Sequence, residues 1–269
     1  YVVEGVYAEG ANLVANSLKL HPKTLGDTVY MRVYSKLDDG SFVYSDVISY
    51  SGAQYAYSVL RNPAASKAQK AQAVALLDFV TEMQIYFDYN RDNLANSKLT
   101  SEQKAFAADY RADMVAKTPK VEQSKVGAFT KTAKSAVLYP TADFSSNLFT
   151  LSYNLKLKNT SPEAVNLYYW DSNAFDSADV LTKENATGVI TMSLDSDGTY
   201  KADIENIKAS EMDKTIYVSI VYTLESGELC TGVTAYSLAQ YLKANAGGTS
   251  ELSALAQASV VYGYYSKNL

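Results

Sequence analysis

From Val29 to Leu37 apolar and polar side chains alternate, and β-branched and aromatic types dominate, the pattern of a half-buried strand. Asp38-Asp39-Gly40 follows and predicts a turn, because Asp and Gly accept a positive φ. Phe42 to Tyr50 returns as a second strand. The arrangement recurs near the end as Ile216–Leu224, a turn at Ser226-Gly227, and a return over Leu229–Tyr236. Tyr30 and Tyr217 lie 187 positions apart, as do Gly40 and Gly227, whereas Tyr55 and Tyr241 are 186 apart. Order, spacing and residue type together predict an internal repeat with one residue dropped in the hairpin. An upstream hairpin is expected in both copies. It is Val2–Ala8 with Asn12–Leu20 in the first, and Val189–Leu194 with Thr199–Ile204 in the second, turning at Asp195-Ser196-Asp197-Gly198.

After each return strand the hydrophobic period changes from 2 to 3.6. Ala53–Leu60 reads as a short helix stopped by Asn62-Pro63, and Ser66–Tyr86 as a long one. Leu76, Phe79, Val80, Met83, Tyr86 and Phe87 form one stripe expected to face a core, leaving Asp78, Glu82 and Gln84 outside it. Thr100-Ser101-Glu102-Gln103 is a capping box and predicts a helix running to about Ala116. The second copy gives Leu238–Ala244, a break at Gly247-Gly248, and Glu251–Tyr265. Strands over Asp143–Leu157 and Val165–Asp171 have no counterpart in the first copy, which therefore reads as an incomplete one, cut from a longer protein.

These blocks predict a multidomain chain of alternating all-β, sandwich-like units and all-α, small helical-bundle units. The expected boundaries are an incomplete β domain at 1–50, a helical domain at 51–120, a β-sandwich-like domain at 125–236 and a helical hairpin at 237–269.

Composition narrows the chemistry. The chain has 269 residues and a net charge of −5, with no concentration of Lys and Arg for nucleic acid. No apolar run approaches the ~18 residues of a membrane span, and Tyr1-Val2-Val3-Glu4-Gly5 lacks the basic flank and apolar block of a signal peptide. One Cys and one His exclude a disulfide framework and a structural zinc site. Twenty-three Tyr suit extended sheets and adhesive surfaces, because Tyr is large, stiff and amphipathic.

Candidate reactive groups are few. His21 precedes Pro22 in an expected loop, with no nucleophile motif to serve. Cys230 falls where Val43 stands in the first copy and reads as a small buried apolar residue. Asp88-Tyr89-Asn90-Arg91-Asp92-Asn93 spaces oxygen donors like a calcium loop, but Asn93 and Leu99 occupy the positions of the required Gly and Glu. Leu167-Tyr168-Tyr169-Trp170-Asp171 reads as a strand with one face in a core and the other packing a neighbour or forming a recognition platform. No enzyme, metal or cofactor is expected. Helix ends project from a domain, so Tyr86, Tyr89, Asn90, Arg91 and Asp92 form one candidate partner-binding patch. Tyr262, Tyr264 and Tyr265, at the matching place in the second copy, form the other.

Several motifs together carry a resemblance. Gly26-Asp27-Thr28-Val29-Tyr30, the hairpin Leu37–Ser45, Tyr86-Phe87-Asp88-Tyr89-Asn90, Leu99–Lys104, Leu167-Tyr168-Tyr169-Trp170, Glu184–Gly188 and Val260–Tyr265 are similar to repeat modules of large secreted surface proteins of gut clostridia. That family includes immunoglobulin-binding, B-cell-superantigen-like proteins. The resemblance implies an extracellular, bacterial cell-surface or secreted protein from a gut commensal that engages its host. The implied partner is the framework of antibody heavy-chain variable domains, bound in the Fab away from the antigen site. The alternatives are a carbohydrate- or mucin-binding adhesin, and a spacer module without a ligand.

Overall fold

The computed structural model describes residues 20–269. The upstream hairpin expected over Val2–Ala8 and Asn12–Leu20 lies, but for its last residue, outside the described residues. The N-terminal ribbon consists of β1 (Val29–Met31) and β2 (Tyr34–Lys36) going out, and β3 (Phe42–Tyr44) and β4 (Ile48–Tyr50) coming back. Gly40 takes a positive φ of 83° in its turn. Helix α1 (Gly52–Arg61) starts at once, its first turn closed by the Ser51 hydroxyl accepting from the Gln54 N–H at 3.0 Å. Helix α2 (Lys67–Tyr86) opens with a reciprocal capping box between Ser66 and Gln69. The capping box at Thr100 also forms, but its helix α3 spans only Ser101–Lys104 before tightening into a 3₁₀ turn. The expected extension to Ala116 fails because tertiary contacts compete: Asp109 pairs with Lys67 at 2.6 Å, and the Tyr110 ring lies edge-on to Tyr264.

The next block is antiparallel β structure with one short helix. It comprises β5 (Ala136–Asp143), β6 (Phe149–Leu157), β7 (Ala164–Asp171), α4 (Ser172–Ser177), β8 (Gly188–Thr191), β9 (Ser193–Leu194), β10 (Thr199–Ile207), β11 (Ile216–Leu224), β12 (Gly227–Cys230) and β13 (Thr234–Tyr236). One sheet has the order β5-β6-β10-β9; the other runs β12-β11-β7-β8, with β13 also paired to β11. The single strand expected from Asp143 is instead the second arm of a hairpin. Asp143–Leu148 turns, with Asp143 accepting from the Ser145 N–H at 2.7 Å, and β5 precedes it. Helices α5 (Leu238–Asn245) and α6 (Glu251–Lys267) complete the chain.

The expected blocks do not keep separate cores. Leu151, Tyr153 and Leu155 of β6, Leu167 of β7 and Val218, Ile220 and Tyr222 of β11 join Phe79 and Met83 of α2 and Leu242 and Leu255 of the C-terminal helices in one buried cluster. The helices at 51–120 and 237–269, far apart in sequence, pack together along α2 and α6. Helix α2 is accordingly buried on several sides rather than along one stripe. Leu77 and Val80 face α1, while Phe79 and Met83 face the sheets. Gln84, expected outside, is fully buried: its amide holds the following loop by accepting from the Ala95 N–H at 2.9 Å and donating to the Asn93 carbonyl at 3.2 Å.

The two hairpins share their register pair by pair. Val29↔Tyr50, Tyr30↔Ser49 and Met31↔Ile48 correspond to Ile216↔Tyr236, Tyr217↔Ala235 and Val218↔Thr234. Tyr34↔Tyr44 and Lys36↔Phe42 correspond to Val221↔Cys230 and Thr223↔Glu228. This register places Cys230 opposite the counterpart of Tyr34, so it matches Tyr44 and not Val43; the dropped residue falls right after the turn glycine. Three bonds outside the regular ladder also match. The Val33 N–H donates to the Ser45 hydroxyl at 2.9 Å, and the Ile220 N–H to the Thr231 hydroxyl at 3.0 Å. The Ser45 and Thr231 N–H groups donate back to the Val33 and Ile220 carbonyls at 2.9 and 3.0 Å. The Ala53 N–H donates to the Leu25 carbonyl at 2.9 Å, and the Ala239 N–H to that of Met212 at 2.8 Å.

Candidate binding surface

The two hairpins differ in what covers them. β11 is paired along its outer edge by β7 and buried on both faces: Val218, Ile220 and Tyr222 enter the main core, while Tyr217 and Val221 pack with Trp170, Phe129 and Phe175. In the N-terminal ribbon every residue from Tyr30 to Tyr50 is exposed. Eleven of the twenty exposed large apolar side chains among the described residues lie in this ribbon. Its alternation, expected to mark a half-buried strand, leaves neither face buried. Tyr30 is 73% exposed where its counterpart Tyr217 is 4% exposed.

The ribbon has two chemically different faces. On one, Tyr34, Phe42 and Tyr44 cluster with ring centroids 5.6–6.3 Å apart, and the Arg32 guanidinium stands 4.0 Å from the Tyr44 centroid. On the other lie Met31, Val33, Val43 and Ile48. A two-stranded ribbon is marginal alone, and a contiguous apolar surface of this kind is where proteins meet partners.

The patches expected at the helix ends are mostly engaged within the chain. Tyr89 donates its hydroxyl to Asp27, a bond that raises the phenol's pKa, and the Asn90 amide reaches the same carboxylate at 3.4 Å. Arg91 donates to the Ile85 carbonyl at 2.6 Å, ending α2, and pairs with Glu251 at 2.6 Å and Asp88 at 2.8 Å. Asp88 and Asn90 hold positive φ angles of 48° and 49°. Tyr86 and Asp92 remain exposed, with Tyr86 edge-on to Phe87. Tyr262 stacks on Phe79 with centroids 5.2 Å apart and planes 9° from parallel, and its surroundings raise its pKa by burial. Tyr264 lies edge-on to Tyr110 and Tyr265. Tyr265 is a correction to the expected surface: it is buried against Ala71 and Ala75 in the seam between α2 and α6. Because Arg91 meets the start of α6 while Tyr265 packs near the start of α2, the helices run antiparallel. The two expected patches are therefore separate: Tyr265 packs on α2 about 16–23 Å from its Tyr86 end, and Tyr262, on Phe79, lies between them.

The other candidate groups are held by packing. The His21 ring is edge-on to Phe87, and its pKa is lowered by burial and then by Lys23. Cys230 is buried, with its sulfur 3.0 Å from the Ser219 hydroxyl. Trp170, the only Trp in the chain, is fully buried; its indole N–H donates to Asn185 at 3.0 Å. The Asp195–Gly198 segment is a turn, closed by the Gly198 N–H donating to the Asp195 carbonyl at 3.0 Å. Among the described residues no helix is long and apolar enough to cross a membrane.

The exposure of the ribbon was hidden in the sequence. Tyr30, Met31, Val33 and Tyr34 put large apolar groups at both parities, which signals a strand covered on both faces and says nothing of what covers it. Comparison with known proteins adds no relative: no family model matches the chain, and no curated protein or solved structure does.

Proposed function

We propose that this chain is a non-enzymatic binding module of an extracellular bacterial surface protein, and that its partner is the framework of an antibody heavy-chain variable domain. The observation that carries the binding role is the exposed ribbon, where three aromatic rings and a guanidinium stand on one face. Tyr and Arg dominate hot spots because they bring large, stiff contact area with polar reach. The partner class follows from the resemblance to clostridial surface modules. Tyr34, Phe42, Tyr44 and Arg32 form the anchor, with exposed Tyr86 and Asp92 as further candidates. A glycan platform has less support, since the sole Trp is sealed inside.

The same proposal includes architecture. The chain holds two copies of a hairpin-plus-two-helix unit, and the second copy is completed by a sandwich of two sheets. The shared registers and the matched Val33–Ser45 and Ile220–Thr231 bonds support it.

The test is capture. The immobilised chain is offered polyclonal Fab, Fc and mucin glycans in separate runs. Retention of Fab alone is expected. Retention of Fc or glycan instead, or of nothing, overturns the proposal.

A further inference from the structure

We propose that residues 117–121 are a cleavage site for a serine protease that cuts after lysine, and that the chain cut there stays one folded particle. Lys117, Pro119 and Lys120 are exposed, and Thr118 and Val121 are only partly covered. Among the described residues no backbone–backbone hydrogen bond involves residues 115–121. This stretch has no helix or ladder to undo before it lies extended in an enzyme's cleft. Anchors hold it on both sides. The Gln240 amide donates to the Ala116 carbonyl at 2.6 Å, and the Leu181 N–H to the Lys125 carbonyl at 2.8 Å. The Lys125 ammonium reaches the Phe175 and Asp176 carbonyls at 3.3 Å each. Lys117 and Lys120 set the enzyme class, because a specificity pocket floored by a carboxylate accepts a lysine side chain. Other lysines are less open to attack. Lys67 is helical, Lys156 and Lys201 lie in strands, and Lys131 precedes two residues whose N–H groups donate to the Cys230 carbonyl.

The step is hydrolysis. Water adds across the Lys117–Thr118 or Lys120–Val121 peptide bond, and the C–N bond breaks. The lysine carbonyl carbon gains the oxygen and ends as a carboxylate, and the freed nitrogen takes up the protons as an ammonium. The two pieces share a core. Phe79 and Met83, before the cut, lie in one buried cluster with Leu151, Leu167 and Leu255, after it. Tyr262 stacks on Phe79, α2 packs along α6, and Arg91 pairs with Glu251. Cleavage removes one covalent link and none of these contacts, so apolar burial keeps the pieces together. The N-terminal ribbon then stays joined to the C-terminal helices without a bond between them.

The probe is trypsin at low ratio on the whole native chain, with fragments identified by mass and by their new amino termini. Of the cuts within residues 20–269, the earliest are expected to leave Thr118 or Val121 as the new terminus. The cut chain is expected to elute from a sizing column as one particle at the volume of the intact chain, and as two pieces in guanidinium. The double variant Lys117→Gln, Lys120→Gln is expected to be cut here severalfold more slowly, with its melting temperature unchanged. A variant that melts lower leaves the wild-type digest and its elution to decide. An earliest cut elsewhere in residues 20–269, or pieces that separate in native buffer, overturns the proposal. Because no antibody enters the assay, its outcome is separate from that of the Fab capture.

Discussion

Single side chains decide how the helical layer tolerates charge. Asp78 is partly buried on α2; burial raises its pKa above the ordinary 3.8, outweighing the hydrogen bond from the Asn96 amide and the attraction of Lys104. Its neighbour Glu82 is raised as well, by burial first and then by Asp78 and Glu251. A carboxylate whose folded pKa is raised binds its proton more tightly in the folded state. It therefore costs stability as pH rises through the window above its unfolded value, and costs nothing once pH falls below that value. Asp78→Asn keeps an oxygen that can accept from Asn96 and removes the charge. Thermal melts are expected to show a higher Tm for this variant at neutral pH, with the gain shrinking as pH falls toward 3.8. A lower Tm at neutral pH would show that the charge itself is needed. Nothing in the sequence announced this: Asp78 lay outside the expected apolar stripe, as a solvated residue would.

Elements were legible where period and caps agreed. Ser51, Ser66, Ser237 and Ser250 cap the four main helices, and each lies just before a 3.6-period segment. The capping box at Thr100 was equally visible, but a cap fixes only where a helix starts, and side-chain contacts of Asp109 and Tyr110 ended it early. The loop after α2 was misjudged for a similar reason. Its residues read as a free polar patch, whereas Gln84 holds its backbone from beneath and Arg91 ties it to α6. Gln84→Leu leaves the buried Ala95 N–H without its partner, at a cost of about 1–3 kcal/mol. Chemical denaturation is expected to report a loss on this scale. By contrast Arg91 and Glu251 are about half exposed and screened by water, so removing that ion pair is expected to cost less than losing Gln84. A loss for Arg91→Ala exceeding that for Gln84→Leu would invert this ranking.

At the scale of the molecule, two hairpins were readable from their turn residues, because Gly40 and Gly227 both hold a positive φ at their turns. What surrounds each hairpin was not readable, since apolar residues at both parities look alike whether covered or bare. A neighbouring strand and two packed layers seal the hairpin of β11, whereas the N-terminal ribbon is exposed. That contrast underlies the claim that residues 29–50 are the binding surface. The most direct test is the affinity of Fab for the double variant Tyr34→Ala, Tyr44→Ala, measured beside its melting temperature. Both rings are nearly half exposed, so the melting temperature is expected to stay within a few degrees. Hot-spot rings contribute about 2 kcal/mol each, so Fab affinity is expected to fall at least about tenfold. Undiminished affinity in a folded double variant would contradict the account and move the binding surface elsewhere on the chain.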